Sequence, residues 1–219
     1  MISIVLERTM GKLFVLCEWI MRLAYVNLLW FLFTMAGMLV FGFFPATVAL
    51  FTIIRKWMMK EWEVPIWRTF REVYGSEFKR ANGLGAILTL VGACIILDAV
   101  YLINMGGTLP LAMAVPLLIV ACLYLITLLY FFPVYVHYDL KWMDYLKQAF
   151  LLGVFHIHMS LLMVGSMAAI LFVLLYQPSL IPFFGVVSFA WIMMFGGMYS
   201  FHRIEIKKNK MSGVKELTR

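Results

Sequence analysis

The sequence predicts an all-α integral membrane protein with six transmembrane helices arranged as three hairpins, and three observations carry that reading. Of its 219 residues, 64% are hydrophobic and only 13% charged, whereas a soluble domain is about half apolar and about a quarter charged. Three long tracts, residues 23–54, 81–137 and 148–202, contain no lysine or arginine. All 18 basic residues fall instead in four segments, 1–22, 55–80, 141–147 and 203–219. A net charge of +7 would suit nucleic acid on an exposed basic surface, but cations confined between apolar tracts follow membrane topology. A crossing takes about 20 residues, so six or seven spans is roughly the ceiling and no soluble catalytic domain fits beside them.

The first tract would form a helix about 48 Å long, too long for one upright span and short for two. Gly42-Phe43-Phe44-Pro45 supplies turn chemistry, which divides it into spans 14–41 and 45–58. Glu18 and Arg22 stand at i,i+4 with the acid first, so they can neutralise each other at the interface. A single tilted span with an external N-terminus is the alternative. The second tract breaks at Asn104-Met105-Gly106-Gly107-Thr108, and Pro110 opens the next helix, giving spans 82–104 and 110–136. The third, about 83 Å as helix, must cross twice. Its break is Gln177-Pro178-Ser179-Leu180-Ile181-Pro182, giving spans 154–177 and 182–203, followed by a basic tail, 204–219.

Two amphipathic elbow helices are expected between spans. Residues 66–81 place Ile66, Trp67, Phe70, Val73, Tyr74, Phe78 and Ala81 at spacings of three and four, and residues 140–150 do the same with Leu140, Met143, Leu146 and Phe150. With six spans every cation lies on one face, so the positive-inside rule puts both termini in the cytoplasm. A cleaved signal peptide is not expected, because Glu18 interrupts the first apolar run. Trp19, Trp30, Trp57 and Trp62 read as interfacial anchors.

Chemistry-bearing motifs are sparse. Cys17, Cys94 and Cys122 sit in apolar helices without a C-x-x-C spacing and read as packing residues. His156 and His158 are two apart, which on a helix points them to different faces instead of at one ion. Neither a phosphate loop nor a G-x-S-x-G elbow occurs. The expectation is therefore no enzyme, no metal and no cofactor. Asp98 is the one ionisable residue well inside a span, which makes it a candidate for a transport path or for a polar contact inside the membrane.

Two stretches carry a resemblance. Asn27-Leu28-Leu29-Trp30-Phe31-Leu32-Phe33 is followed by Gly42-Phe43-Phe44-Pro45-Ala46-Thr47-Val48-Ala49-Leu50-Phe51. Phe70-Arg71 and Phe78-Lys79-Arg80-Ala81-Asn82 then precede an apolar span. Together they resemble the YesL-like family of bacterial membrane proteins, over roughly the first 90 residues. The resemblance implies an accessory or assembly subunit of a carbohydrate ABC importer in the bacterial cell membrane. Its partners would be membrane lipids, the permease subunits and, indirectly, a solute-binding protein, with no nucleic acid. Trp30, Gly42, Pro45, Phe70, Phe78 and Lys79 are the motif residues expected to matter. Pro45 would set the first hairpin, the aromatics would dock the elbow, and Lys79 would hold it at the anionic interface. The rival readings are an autonomous small channel with Asp98 in its path and a homodimeric scaffold.

Overall fold

The computed structural model describes the backbone of residues 2–105 and 108–217, and the side chains of residues 14–104 and 113–206. Seven α-helices follow one another among the described residues: α1 (Ile2–Ala36), α2 (Val40–Met58), α3 (Ile66–Met105), α4 (Thr108–His137), α5 (Trp142–Phe155), α6 (Ile157–Tyr176) and α7 (Ile181–Leu217). A 3-10 turn, Pro178–Leu180, joins the last two, and no strand occurs among the described residues. Among the described residues, six helical segments are long and apolar enough to cross a membrane: Phe14–Ala36, Val40–Met58, Ile66–Asn104, Met113–His137, Ile157–Tyr176 and Pro178–Ile206. The chain is a multi-pass helical membrane protein.

Several boundaries depart from expectation. The turn between α1 and α2 lies at residues 37–39, with Met38 and Leu39 at φ 57° and 63°, and not at Gly42-Phe43-Phe44-Pro45. Pro45 sits inside α2 and does not open it. A proline there cannot donate to the carbonyl four residues back. That carbonyl, on Phe41, accepts a hydrogen bond from Asn82 Nδ2 at 2.8 Å instead, so the helix continues through the proline.

The segment 66–81 is no separate elbow, because α3 runs unbroken for 40 residues. The helix contains glycines at 75, 83, 85 and 92 but no proline, and glycine weakens a helix by only about 1 kcal/mol where proline costs about 3. Where the second elbow is expected over 140–150, a separate helix, α5, runs for 14 residues from Trp142 to Phe155, with Tyr145, Ala149, Leu152 and Gly153 buried. It ends at His156, where the backbone leaves the helical region before α6 begins. Beyond residue 203 the expected tail continues α7 as helix to Leu217. Gly106 and Gly107, the centre of the expected second break, lie outside the described residues.

The core has two adjoining parts. One gathers Val26, Leu29 and Trp30 of α1, Leu50, Ile53 and Trp57 of α2, Phe70 of α3, and Val187 and Met194 of α7. The other gathers Leu84 and Leu88 of α3, Tyr130 and Val134 of α4, Tyr145 and Leu152 of α5, and Met163 of α6. In lipid the surroundings are as apolar as the side chains, so close packing and interhelical hydrogen bonds must hold such a bundle. Trp30 and Trp57 are buried in this packing and do not serve as interfacial anchors. Trp57 packs between Trp19, at 5.4 Å, and Trp191, at 6.4 Å.

One buried polar contact ties the first helix to the last. The Asn27 side chain is wholly buried. Its Nδ2 donates to the Pro182 carbonyl at 2.7 Å, and its Oδ1 accepts from the N–H groups of Val186 and Val187 at 3.1 and 2.9 Å. A single side-chain amide thus bridges one turn of α7.

Candidate functional site

The motif residues of α1, α2 and α3 meet in one joint. Trp30 Nε1 donates to Thr47 Oγ1 at 3.0 Å, and Thr47 Oγ1 donates to the Phe43 carbonyl at 2.6 Å. Gly42 faces the end of α1, where a Cβ would run into the Thr34 carbonyl oxygen, so glycine here permits the close approach of the two helices. The Phe33 ring packs on Phe70 at 5.1 Å and on Tyr74 at 4.9 Å, and the Tyr74 hydroxyl donates to the Phe33 carbonyl at 3.2 Å. Phe78 lies half-buried against Tyr74. These residues fix where α3 leaves α1 and α2. Lys79 stands apart, exposed and without an ion pair among the described residues.

One turn further along, α3 is fastened to α4 and α5 by a polar cluster that the sequence reading did not single out. Arg80 Nη2 donates to the Leu140 carbonyl at 2.6 Å and to the Tyr145 hydroxyl at 3.0 Å. Its guanidinium lies 5.2 Å over the Tyr145 ring and 5.9 Å over that of Tyr135, within cation–π range. The Tyr145 hydroxyl also accepts from the Leu140 N–H and donates to the Tyr138 carbonyl. The Tyr135 hydroxyl donates to Glu77 Oε2 at 2.5 Å, a charge-assisted bond. Alongside, Arg55 Nε donates to His137 Nδ1 at 3.4 Å, and the His137 ring stacks on Phe201 at 4.5 Å. Burial, with the nearby Glu205 adding to it, pushes the Tyr138 hydroxyl above the usual phenol range.

The cluster borders a cleft of about 310 Å³ that includes Thr52, Ser76, Glu77, Arg80 and Asp139 in its walls. Its Ser76 hydroxyl is spent on the Val73 carbonyl, and the arginine is spent on Tyr145, the Leu140 carbonyl and Asp139, at 3.5 Å. Such an arrangement holds helices at a fixed angle, as a satisfied polar network does.

Past the cluster lies a different kind of surface. No described side chain between residues 89 and 126 is buried. This α3–α4 arm is braced near its base by the Tyr124 hydroxyl, which donates to the Leu88 carbonyl at 2.9 Å. It presents Leu90, Leu97, Val100, Ile103, Leu118 and Ile119 outward. Asp98 is on this arm, exposed, and makes no hydrogen bond or ion pair to a described residue. Cys94 and Cys122 are exposed here too, as Cys17 is on α1, and so none of the three is the buried packing residue expected. Beside the arm an apolar groove of about 670 Å³ is lined by Phe44, Leu128 and Phe132 together with Met167, Leu171 and Met193.

Comparison with known proteins accords with the motif that makes the joint. The family described as "Protein of unknown function, DUF624" matches residues 23–99, which run from the middle of α1 through most of α3. The chain is 40% identical over 188 residues to "Uncharacterized protein YteU" of Bacillus subtilis (strain 168), covering 86% of this chain and 84% of that protein. The chain belongs to the YesL-like DUF624 family.

Two further relatives of this DUF624 protein come from the same organism. "Uncharacterized protein YesV" is 36% identical, with 89% of this chain and 93% of that protein covered. "Uncharacterized protein YesL" is 30% identical, with 77% and 79% covered. No solved structure matches the chain. Within the matched stretch, Asn27, Asn82 and Arg80 make contacts over 41 to 160 residues of sequence. All three stand in the stretches that carry the family resemblance, but nothing local to them points to these distant partners.

Proposed function

We propose that this DUF624 protein is a non-catalytic accessory or assembly subunit of a carbohydrate import system. It sits in the bacterial cytoplasmic membrane with both termini inside and packs against permease helices through its α3–α4 arm. Segregation of all cations away from the three apolar tracts supports that orientation. The carbohydrate importer is what the family resemblance implies. The docking half of the proposal is carried by one observation, the absence of any buried side chain among the described residues from 89 to 126. Helices of a self-contained bundle bury a stripe along their length against neighbours. This pair does so only up to Leu88 and from Thr127 onward, which leaves the outer arm free for another membrane protein.

Affinity purification of the tagged full chain from native membranes in mild detergent is the test. A permease subunit should be recovered with it. Leu97→Trp combined with Leu118→Trp, at positions 67% and 65% exposed, should reduce that recovery by about fivefold, since about 1 kcal/mol at a helix contact corresponds to that factor, without lowering the yield of the chain. Recovery of the chain alone would overturn the proposal.

A further inference from the structure

The arm carries a second message, about the chemistry of whatever packs on it, and this inference rests on the docking role just proposed. Cys94, Leu97, Asp98, Tyr101 and Asn104 are all exposed on α3. Their spacing of three and four residues puts them along one side of the helix. Asn104 Nδ2 is committed to the Val100 carbonyl at 2.8 Å, which leaves its Oδ1 as an acceptor. The Asp98 carboxylate and the Tyr101 hydroxyl bond to no described residue. Over about 9 Å of helix, the stripe therefore offers a carboxylate, a phenol and an amide oxygen, with apolar residues on either side.

Among the described residues no cation pairs with that stripe. None occurs in residues 81–137, 148–202 or 23–54. The nearest basic residue on α3 is Arg80, about 27 Å back along the helix, where it is held by Tyr145 and Leu140. A second copy of the arm would bring carboxylate against carboxylate. A carboxylate toward the centre of a span is costly, less so near the interface, and is relieved by pairing. We propose that the far end of α3 docks on a transmembrane helix of a different protein that carries a lysine or arginine near the end of its apolar span, with Asp98 as the pairing carboxylate.

The test uses the purified full chain, dye-labelled at its N-terminus, in phosphatidylcholine vesicles. The probe is a labelled polyleucine transmembrane peptide with one arginine three residues from its end, compared with the all-leucine peptide and with one carrying glutamate at that position. Energy transfer should show the arginine peptide binding about fivefold tighter than the leucine peptide, and the glutamate peptide binding no better than leucine. Asp98→Asn should abolish the preference and Asp98→Glu should keep most of it. Equal binding of arginine and leucine peptides, or a preference that survives Asp98→Asn, would overturn the proposal.

The native pull-down separates the two claims. If wild type recovers a permease subunit and Asp98→Asn recovers just as much, the pairing fails while the docking role stands. If wild type recovers none, the docking role fails whatever the peptides do.

Discussion

Asn27→Ala should destabilise the protein by about 3 kcal/mol. The figure follows from three hydrogen bonds, to Pro182, Val186 and Val187, at about 1 kcal/mol net for each. The cost is concentrated because water cannot replace the lost partners in an apolar, wholly buried position. Asn27→Asp supplies the diagnostic comparison. It keeps an acceptor for the two N–H groups but turns the donor facing the Pro182 carbonyl into another acceptor, so it should not restore wild-type stability. Thermal unfolding in detergent micelles, followed by the near-ultraviolet signal of the tryptophans, measures both. Equal midpoints for wild type and Asn27→Ala would mean that the amide does not clamp α7.

A second large effect is expected where α2 and α3 meet, and it has a signature that simple truncation lacks. Asn82→Ala removes the donor to the Phe41 carbonyl, the group that Pro45 leaves without its helical partner. Leaving it unsatisfied should cost about 1–3 kcal/mol. Pro45→Ala restores an N–H at position 45, so in that background the same Asn82→Ala change should cost much less. The expected outcome of the double-mutant cycle is a coupling of about 1 kcal/mol or more between residues 37 positions apart in sequence. Additive effects of the two substitutions would show that Asn82 acts through its other bond, to the Phe78 carbonyl, and not by complementing the proline.

Both residues illustrate how far the sequence could be read. Apolar runs and the placement of cations were enough for the fold class, because bilayer thickness converts directly into helix length. The first turn was misplaced for a physical reason. Gly42 and Pro45 carry turn chemistry, yet Gly42 serves a close approach to Thr34 and Pro45 is complemented by Asn82. The true turn uses Met38 and Leu39 at positive φ, residue types that announce nothing.

The spacing of apolar residues over 66–81 marks an amphipathic helix, but periodicity cannot say whether such a segment stops before the next span. Here nothing in it breaks a helix, and it continues to Met105. Of the motif residues, Trp30, Gly42 and Phe70 lie in one joint, with Phe78 half-buried beside it. The Arg80, Tyr135 and Tyr145 cluster depends on helices distant in sequence coming together, which no local pattern encodes. Asp98 was visible at once as a carboxylate in an apolar tract; only the structure puts it on an outward face of the arm.

Site-specific photocrosslinking in native membranes tests most directly whether the arm is a docking surface. A photoreactive phenylalanine analogue would be placed at Leu97 and at Leu118 on the arm, and at Val173 as an exposed position on α6. The expected result is an adduct containing a carbohydrate permease subunit from both arm positions and none from Val173. Adducts with lipid alone at Leu97 and Leu118, or the same permease adduct from Val173, would contradict it.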